Sequence, residues 1–583
     1  MKKILIFALC VAFTLQTAGM VSAKVIYMPD VTEEMSSPYY WTDKQANSDK
    51  QLATSDEIYA LNVAFLLADD TKMYDLKNMS DTVNGVTLSE ELYNGAKADA
   101  EYYVNEGTCD ADGNPITMEY FEDVLENCKN PNATEEQPVQ YAVAVNRTNL
   151  LVFPTDKVIQ DDADDPDFDN QFNSALRVNE PVMVLSVSAD EKYYCVYASH
   201  CSGWVPAEDV AICEDKEEWL DAWDIEDEDV LVVYDDRIFT EKSNADPAVS
   251  RRELSMGTVL KQASDEEIAA ASGISNRAGY NNHVVWMPVR NEDGSYGKTL
   301  ALISESAKVS EGYLPLTREN IAMVAFNSLG DEYGWGGMLS SEDCSGYVRG
   351  IYKCFGFEMP RNTTWQKAMP VKGFDISEYT DEQKMELLDT LPLGAVLFFS
   401  GHEMMYLGHE DGKYYVISST SSIMNPDESG KQRARSIMIN TLDVKRANGN
   451  TWLSSLNYAT IPYYDPEHEL EDISIHEDTD TSVTETPGDA DTGSEITPVT
   501  VKMDIAVKLG KRKITINTAK GCKIVVKASK KIFTKNGKKT KTYTIKSSSK
   551  KNVIKLNTKL KSGMSLKITV SNTEYVSTQV VSV

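Results

Sequence analysis

From Tyr141 onward the chain alternates short apolar runs, YAVAV, PVMVLSV, YYCVYAS and GWVPAEDVAI, with Asn, Asp, Gly and Pro. Strand-length runs parted by turn residues predict a small antiparallel barrel. A second set follows directly, VLVVY at 230–234, MGTVLKQA at 256–263 and HVVWMPVR at 283–290, and predicts a second barrel. The pattern before them has a helical period instead, over Asp56–Leu67, Ser89–Val104 and Met118–Cys128. Farther along, Tyr347, Val348, Ile351, Tyr352 and Phe355 share one face of a helix that Gly356 ends. Two apolar strands, Ala395–Phe399 and EMMYL, meet at a tight Ser400-Gly401 turn. The last part returns to strand-length runs, DIAVKL, KITIN, CKIVVKAS, TYTIKS, NVIKLN and LKITVS, which predict an all-β domain.

At roughly 150 residues per domain, a chain of 583 residues holds about four domains. The patterning divides it into a leader at 1–23, a helical segment at 24–138, barrels at 139–213 and 214–312, a mixed domain at 313–464, a linker at 465–501 and the all-β domain at 502–583. Lys2 and Lys3, the apolar Ile4–Leu15 and the small residues Val21-Ser22-Ala23 read as a secretory signal peptide, so a secreted, extracellular or wall-associated protein is expected. No later run reaches the length of a spanning helix, which excludes a transmembrane segment from the expectation.

Charge sharpens this organisation. Residues 465–500 hold twelve Asp and Glu without a Lys or Arg and read as an extended linker. Residues 502–583 carry 21 Lys and Arg against Asp504 and Glu574, a net of +19 in a chain whose total is -33. A polyanion therefore has only the C-terminal domain to bind. In a secreted chain that points to anionic wall polymers and away from nucleic acid. Beyond Cys10 eight cysteines remain, too sparse for a disulfide scaffold. Pairing of Cys195 with Cys201 and of Cys109 with Cys128 is left open beside free thiols. The acidic run DDADDPDFDN at 161–170 lacks the glycine and final glutamate of a calcium loop and reads as a solvated barrel loop.

The candidate chemistry lies in 313–464. Asp343 is placed to cap the helix that follows it, which sets Cys344 in the first turn, where the dipole and free N–H groups favour a thiolate. The preceding Tyr333-Gly-Trp-Gly-Gly337 offers a glycine-rich approach to the backbone. A cysteine nucleophile needs a base. Of six histidines, His468 and His476 fall in the linker, His200 and His283 in barrel strands and turns, and His409 in an acidic turn, which leaves His402. A hairpin centred on residue 410 sets His402 opposite Ser418, where an orienting group for the imidazole belongs. Such a thiol and imidazole need no metal and no cofactor, and none is expected.

The segments DCSGYVRGIYKCFGFEMPRNT, YGWGGM, LPLGAVLFFSGHEMMYLG and GKYYVIS resemble the NlpC/P60 family of secreted bacterial cysteine peptidases. Upstream, TNLLVFP, GWVPAEDVA, DPAVSRRELSMGT and GYLPLTRENI resemble the subgroup with two bacterial SH3-like domains and a helical N-terminal stabilising segment. The resemblance implies a multidomain α+β protein with a papain-like catalytic domain, a helix on an antiparallel sheet. It implies cleavage of the γ-D-glutamyl to diamino-acid bond in peptidoglycan stem peptides, with Cys344 as nucleophile and His402 as base. It further implies that Asp343 and Ser345 hold a free amino terminus, that Tyr333 and Trp335 line the site, and that the SH3-like domains limit access. The third catalytic position, usually a histidine, falls on Ser418, so a catalytically weak or inactive wall-binding protein is one alternative. A related amidase or acyl transferase is another. The C-terminal domain resembles lysine-rich immunoglobulin-like repeats.

Overall fold

The computed structural model describes residues 25–463 apart from 226, 245, 272–279 and 426, together with the strands between 504 and 582 and Leu556. The signal peptide and the acidic linker lie outside the described residues. The chain is a multidomain α+β protein dominated by antiparallel sheets. Among the described residues no helix is long and apolar enough to cross a membrane.

The alternating runs after Tyr141 form one seven-stranded antiparallel sheet between Gln140 and Ile212. Every strand of it sends at least one side chain into a single buried cluster that includes Ala142, Leu150, Leu176, Val184, Val196, Val205 and Val210. Only a sheet curled on itself turns one face of all its strands to a common centre. The next set, Val230–Val233 to Val309–Glu311, gives a five-stranded sheet and a two-stranded one that likewise share a core of Leu231, Ile238, Leu254, Leu260, Val285 and Ile303.

The helical segment before the barrels serves two bodies. Its first long helix, Ser55–Leu67, starts at a capping box between Thr54 and Glu57. Ile58, Leu61 and Phe65 from that helix, with Met35 and Trp41 before it, join the core of the mixed domain. The later helices, Gly85–Glu106 and Met118–Asn127, bury Ala96, Ala100, Phe121 and Val124 against Leu151, Phe153 and Trp204 of the first barrel instead.

The mixed domain places helix α1 (Cys344–Lys353) and the short α2 (Thr363–Lys367) beside a six-stranded sheet. Its strands are β1 (Lys372–Asp375), β2 (Val396–Phe399), β3 (His402–Glu410), β4 (Lys413–Met424), β5 (Lys431–Thr441) and β6 (Tyr458–Ile461), in the order β1-β6-β2-β3-β4-β5. The apolar face read from the sequence, Tyr347, Val348, Ile351 and Tyr352, packs with Val396, Met405 and Ile417 in one core. The opposite side of α1 is not solvated. All its residues from Cys344 to Tyr352 are buried, and on that side Arg349 turns to the first barrel and bonds Glu180 Oε1 at 2.9 Å.

A second compact unit, Glu477–Val583, holds antiparallel sheets of three, four and two strands. Ile524, Val526, Phe533, Ile554 and Leu556 are its described buried residues.

Candidate active site

Asp343 caps α1 as expected, its Oδ1 accepting from the Gly346 N–H at 2.9 Å. Cys344 is thereby fixed as the first helical residue. The thiol is not the thiolate that a helix start favours. It is only 8% exposed, and burial, then the carboxyl groups of Asp343 and Glu403, push it up to about 12. The Thr363 hydroxyl, 3.8 Å from the sulfur, and the backbone N–H of Glu403 work the other way and are outweighed.

His402 opens β3 directly after the Ser400-Gly401 turn, where Gly401 takes a φ of 81° and Phe399 pairs with His402. Its ring packs against Phe399 and Trp452, with centroids 5.3 and 5.1 Å away, and Nε2 lies 3.3 Å from Ser418 Oγ. Burial, and then the charge of Arg446, lower the imidazole to about 3. The resting site is thus a neutral thiol and a neutral imidazole.

The hairpin register differs from the one read in the sequence. Asp411 and Gly412, with φ of 51° and 75°, form a two-residue turn that pairs Glu410 with Lys413, and a bulge at Leu407 leaves Met405 opposite Ile417. Extended to the end of β3, this register points His402 at Thr420. Ser418 is its diagonal neighbour. A displacement of two residues preserves the face, so the contact expected from direct pairing forms across the diagonal. Ser418 Oγ in turn lies 3.0 Å from Thr420 Oγ1, giving a chain of imidazole and two hydroxyls.

Asp343 and Ser345 are already engaged. Arg361, which the sequence reading did not single out, bonds Asp343 through Nη2 at 2.6 Å and Nη1 at 3.1 Å, and Ser345 Oγ through Nη1 at 3.0 Å. Burial alone raises the Asp343 carboxyl; the Arg361 guanidinium overcomes it and holds the group below the usual carboxylate range. A substrate ammonium group would have to share this carboxylate with a buried arginine. Arg361 Nε reaches on to Ser174 Oγ of the first barrel at 2.8 Å, and Ser174 meets His200 Nε2 at 3.1 Å. His200, whose Nδ1 lies 2.9 Å from Arg349 Nη2, is therefore a buried link between the barrel and the mixed domain, and not a plain turn residue.

Tyr333 is buried, and its phenol is raised by burial and then by the nearness of Cys344 and Asp343. Trp335 stacks on Phe168 at 4.3 Å, and the Arg435 guanidinium lies 4.9 Å over Phe168 and 5.7 Å over Tyr333. The acidic run that carries Phe168 is exposed over most of its length, as expected of a barrel loop, and is also tied to the mixed domain. Asp162 pairs with Arg433 at 2.5 Å and Asp165 with Arg435. Among the described residues no group of three or more metal-ligating side chains occurs, and the seven described cysteines are all free. The glycines before the site admit protein, not substrate. A Cβ on Gly336 would meet the Phe172 carbonyl oxygen at 2.3 Å, and one on Gly337 the Ala175 Cβ at 2.6 Å, both in the first barrel.

Glu403 was also missed. It is fully buried on the strand that His402 opens, neither carboxyl oxygen has a hydrogen-bond partner, and burial raises the group to about 8. The signal was faint, since the glutamate stands at the head of the apolar run of β3, directly after His402.

Residues 330–446 match the model of the NlpC/P60 family, and residues 158–206 match that of an SH3 domain of the SH3b1 type. Over 92 residues the chain is 35% identical to dipeptidyl-peptidase 6 of Lysinibacillus sphaericus, a match covering 16% of this chain and 30% of that protein. The chain thus spans under a third of that relative's length. Among solved structures it is similar to an NlpC/P60 endopeptidase from Photobacterium damselae subsp. piscicida, with a TM-score of 0.59, 17% identity, 76% of this chain and 100% of that one covered. At that identity the likeness is one of fold.

Proposed function

We propose that this chain, which carries an NlpC/P60 domain over residues 330–446, is a secreted cysteine endopeptidase that hydrolyses the γ-D-glutamyl to diamino-acid bond of peptidoglycan stem peptides. The observation that carries the reading is the junction of α1 with the start of β3. There the Cys344 thiol is flanked by the Glu403 backbone, and the next residue back, His402, has its Nε2 turned to Ser418.

With Nε2 protonated and donating to Ser418, Nδ1 of His402 is the basic atom. It takes the thiol proton as the sulfur attacks the scissile carbonyl carbon, and the dipole of α1 favours the negative charge that develops at its N-terminus. The neutral resting pair makes this general-base attack and not attack by a preformed thiolate. The imidazolium then returns the proton to the leaving amine, the carbon–nitrogen bond breaks, and a thioester on Cys344 remains. Water, losing its proton to the same imidazole, releases the acyl group as a carboxylate. Tyr333 and Trp335 line the approach, and the first barrel limits it through the Phe168 loop. The basic C-terminal domain retains the enzyme on anionic wall polymers.

Incubation with L-Ala-γ-D-Glu-diaminopimelate and mass analysis tests the reading. Appearance of L-Ala-γ-D-Glu and free diaminopimelate is expected, and an uncut peptide would overturn it. Ser418→Ala removes the acceptor that fixes the tautomer. A loss of one hydrogen bond's worth, about tenfold in kcat, with KM unchanged, is expected from steady-state kinetics.

A further inference from the structure

Glu403 has no part in the mechanism above, yet it stands against the nucleophile. Its side chain is 0% exposed and both carboxyl oxygens are without a hydrogen-bond partner. Its own backbone N–H favours the ionised Cys344, while its carboxyl opposes it. Thr363, whose hydroxyl is 3.8 Å from the sulfur, also favours the ionised form of Glu403, so one hydroxyl faces both groups. The charged and titratable groups around the carboxyl are Cys344 and Asp343 from α1 and its cap and Arg361 from the segment leading into α2. Its partner across the sheet in β2 is Phe398. Arg361 is committed to Asp343 by two hydrogen bonds and favours a charged Glu403 only through space, a contribution that burial outweighs. A buried carboxyl with no close hydrogen bond and one hydroxyl nearby is costly when charged.

We propose that Glu403 is a positioning residue that couples the ionisation of Cys344 to its own protonation, neutral and permissive when it holds its proton, inhibitory when it loses it. The inference rests on Cys344 being the nucleophile. With the proton on, the thiol has only the Arg361-compensated Asp343 beside it, and His402 can draw its proton away. With the proton off, a second negative charge, only weakly compensated, opposes the forming thiolate. Burial sets the change at about 8, so the neutral form prevails at and below neutral pH and the charged form above it.

The test is alkylation of Cys344 by iodoacetamide in the full chain, read by mass analysis of the peptide that contains it between pH 6 and 10. It needs no peptidoglycan substrate, so failure of this idea and failure of the proposed reaction are told apart. Glu403→Gln is expected to match the native protein within about twofold at pH 6.5 and to react about tenfold faster at pH 9.5, a charge contribution of one pKa unit. Glu403→Met, matching its neighbours Met404 and Met405, is expected to behave as Glu403→Gln, with folding of each variant checked by circular dichroism. If hydrolysis is measurable, the alkaline limb of kcat/KM moves up in both variants. A ratio of alkylation rates that stays constant across the pH range in whichever variant folds would overturn the proposal.

Discussion

Cys344→Ala is expected to reduce peptide hydrolysis to background, and His402→Ala to reduce kcat by about 10^2 to 10^4, both with native circular dichroism. The two losses differ in kind. Without sulfur there is no thioester and no turnover, whereas without the imidazole the thiol, held near 12 by burial, must lose its proton to water. Activity of His402→Ala should therefore climb as pH rises, provided the folded state survives. Cys354, buried ten residues on and bonded through its thiol to the backbone, has no such role, and Cys354→Ala should affect stability and leave kcat/KM in place. Native rates of cleavage from purified Cys344→Ala would sink the assignment of the nucleophile.

How much of this was legible in the chain depends on whether a feature is local. The cap at Asp343, the apolar face of α1 and the Ser400-Gly401 turn follow from neighbouring residues and match the structure. The two barrels follow from run length and turn residues. The register of β3 with β4 did not follow, because the Asp411-Gly412 turn and the bulge at Leu407 each shift the pairing, and a bulge leaves no mark in the alternation. Even so, the His402 to Ser418 contact survived, since an error of two residues keeps a side chain on its face. What stayed hidden was everything that depends on one domain touching another. The glycines at 336 and 337 and Arg361 take their meaning from a strand of the first barrel more than a hundred residues away in sequence, and His200, within that barrel, takes its meaning from Arg349, as distant on the other side.

That dependence gives the second large effect. Arg361→Met is expected to destabilise the body formed by residues 25–463 by about 3 to 5 kcal/mol, the cost of stranding a buried charge by removing its partner. Asp343, left in place, has its side chain under 10% exposed and keeps only the Gly346, Gly336 and Ser345 donors. Asp343→Asn removes the same attraction from the other side while retaining a capping oxygen, so most of its cost is also the ion pair. The double variant should then cost clearly less than the two singles summed, by about 2 kcal/mol or more, because the pair is lost only once. Urea unfolding followed by tryptophan fluorescence measures all four corners of the cycle. The loss is not confined to stability. Arg361 also holds Ser174 of the first barrel, and it screens Asp343 from Cys344, so the single variant should alkylate Cys344 more slowly than Asp343→Asn does. Additive costs would show that Arg361 does not pair with Asp343 in solution, and equal alkylation in the two single variants would show that it does not shield the thiol from that charge.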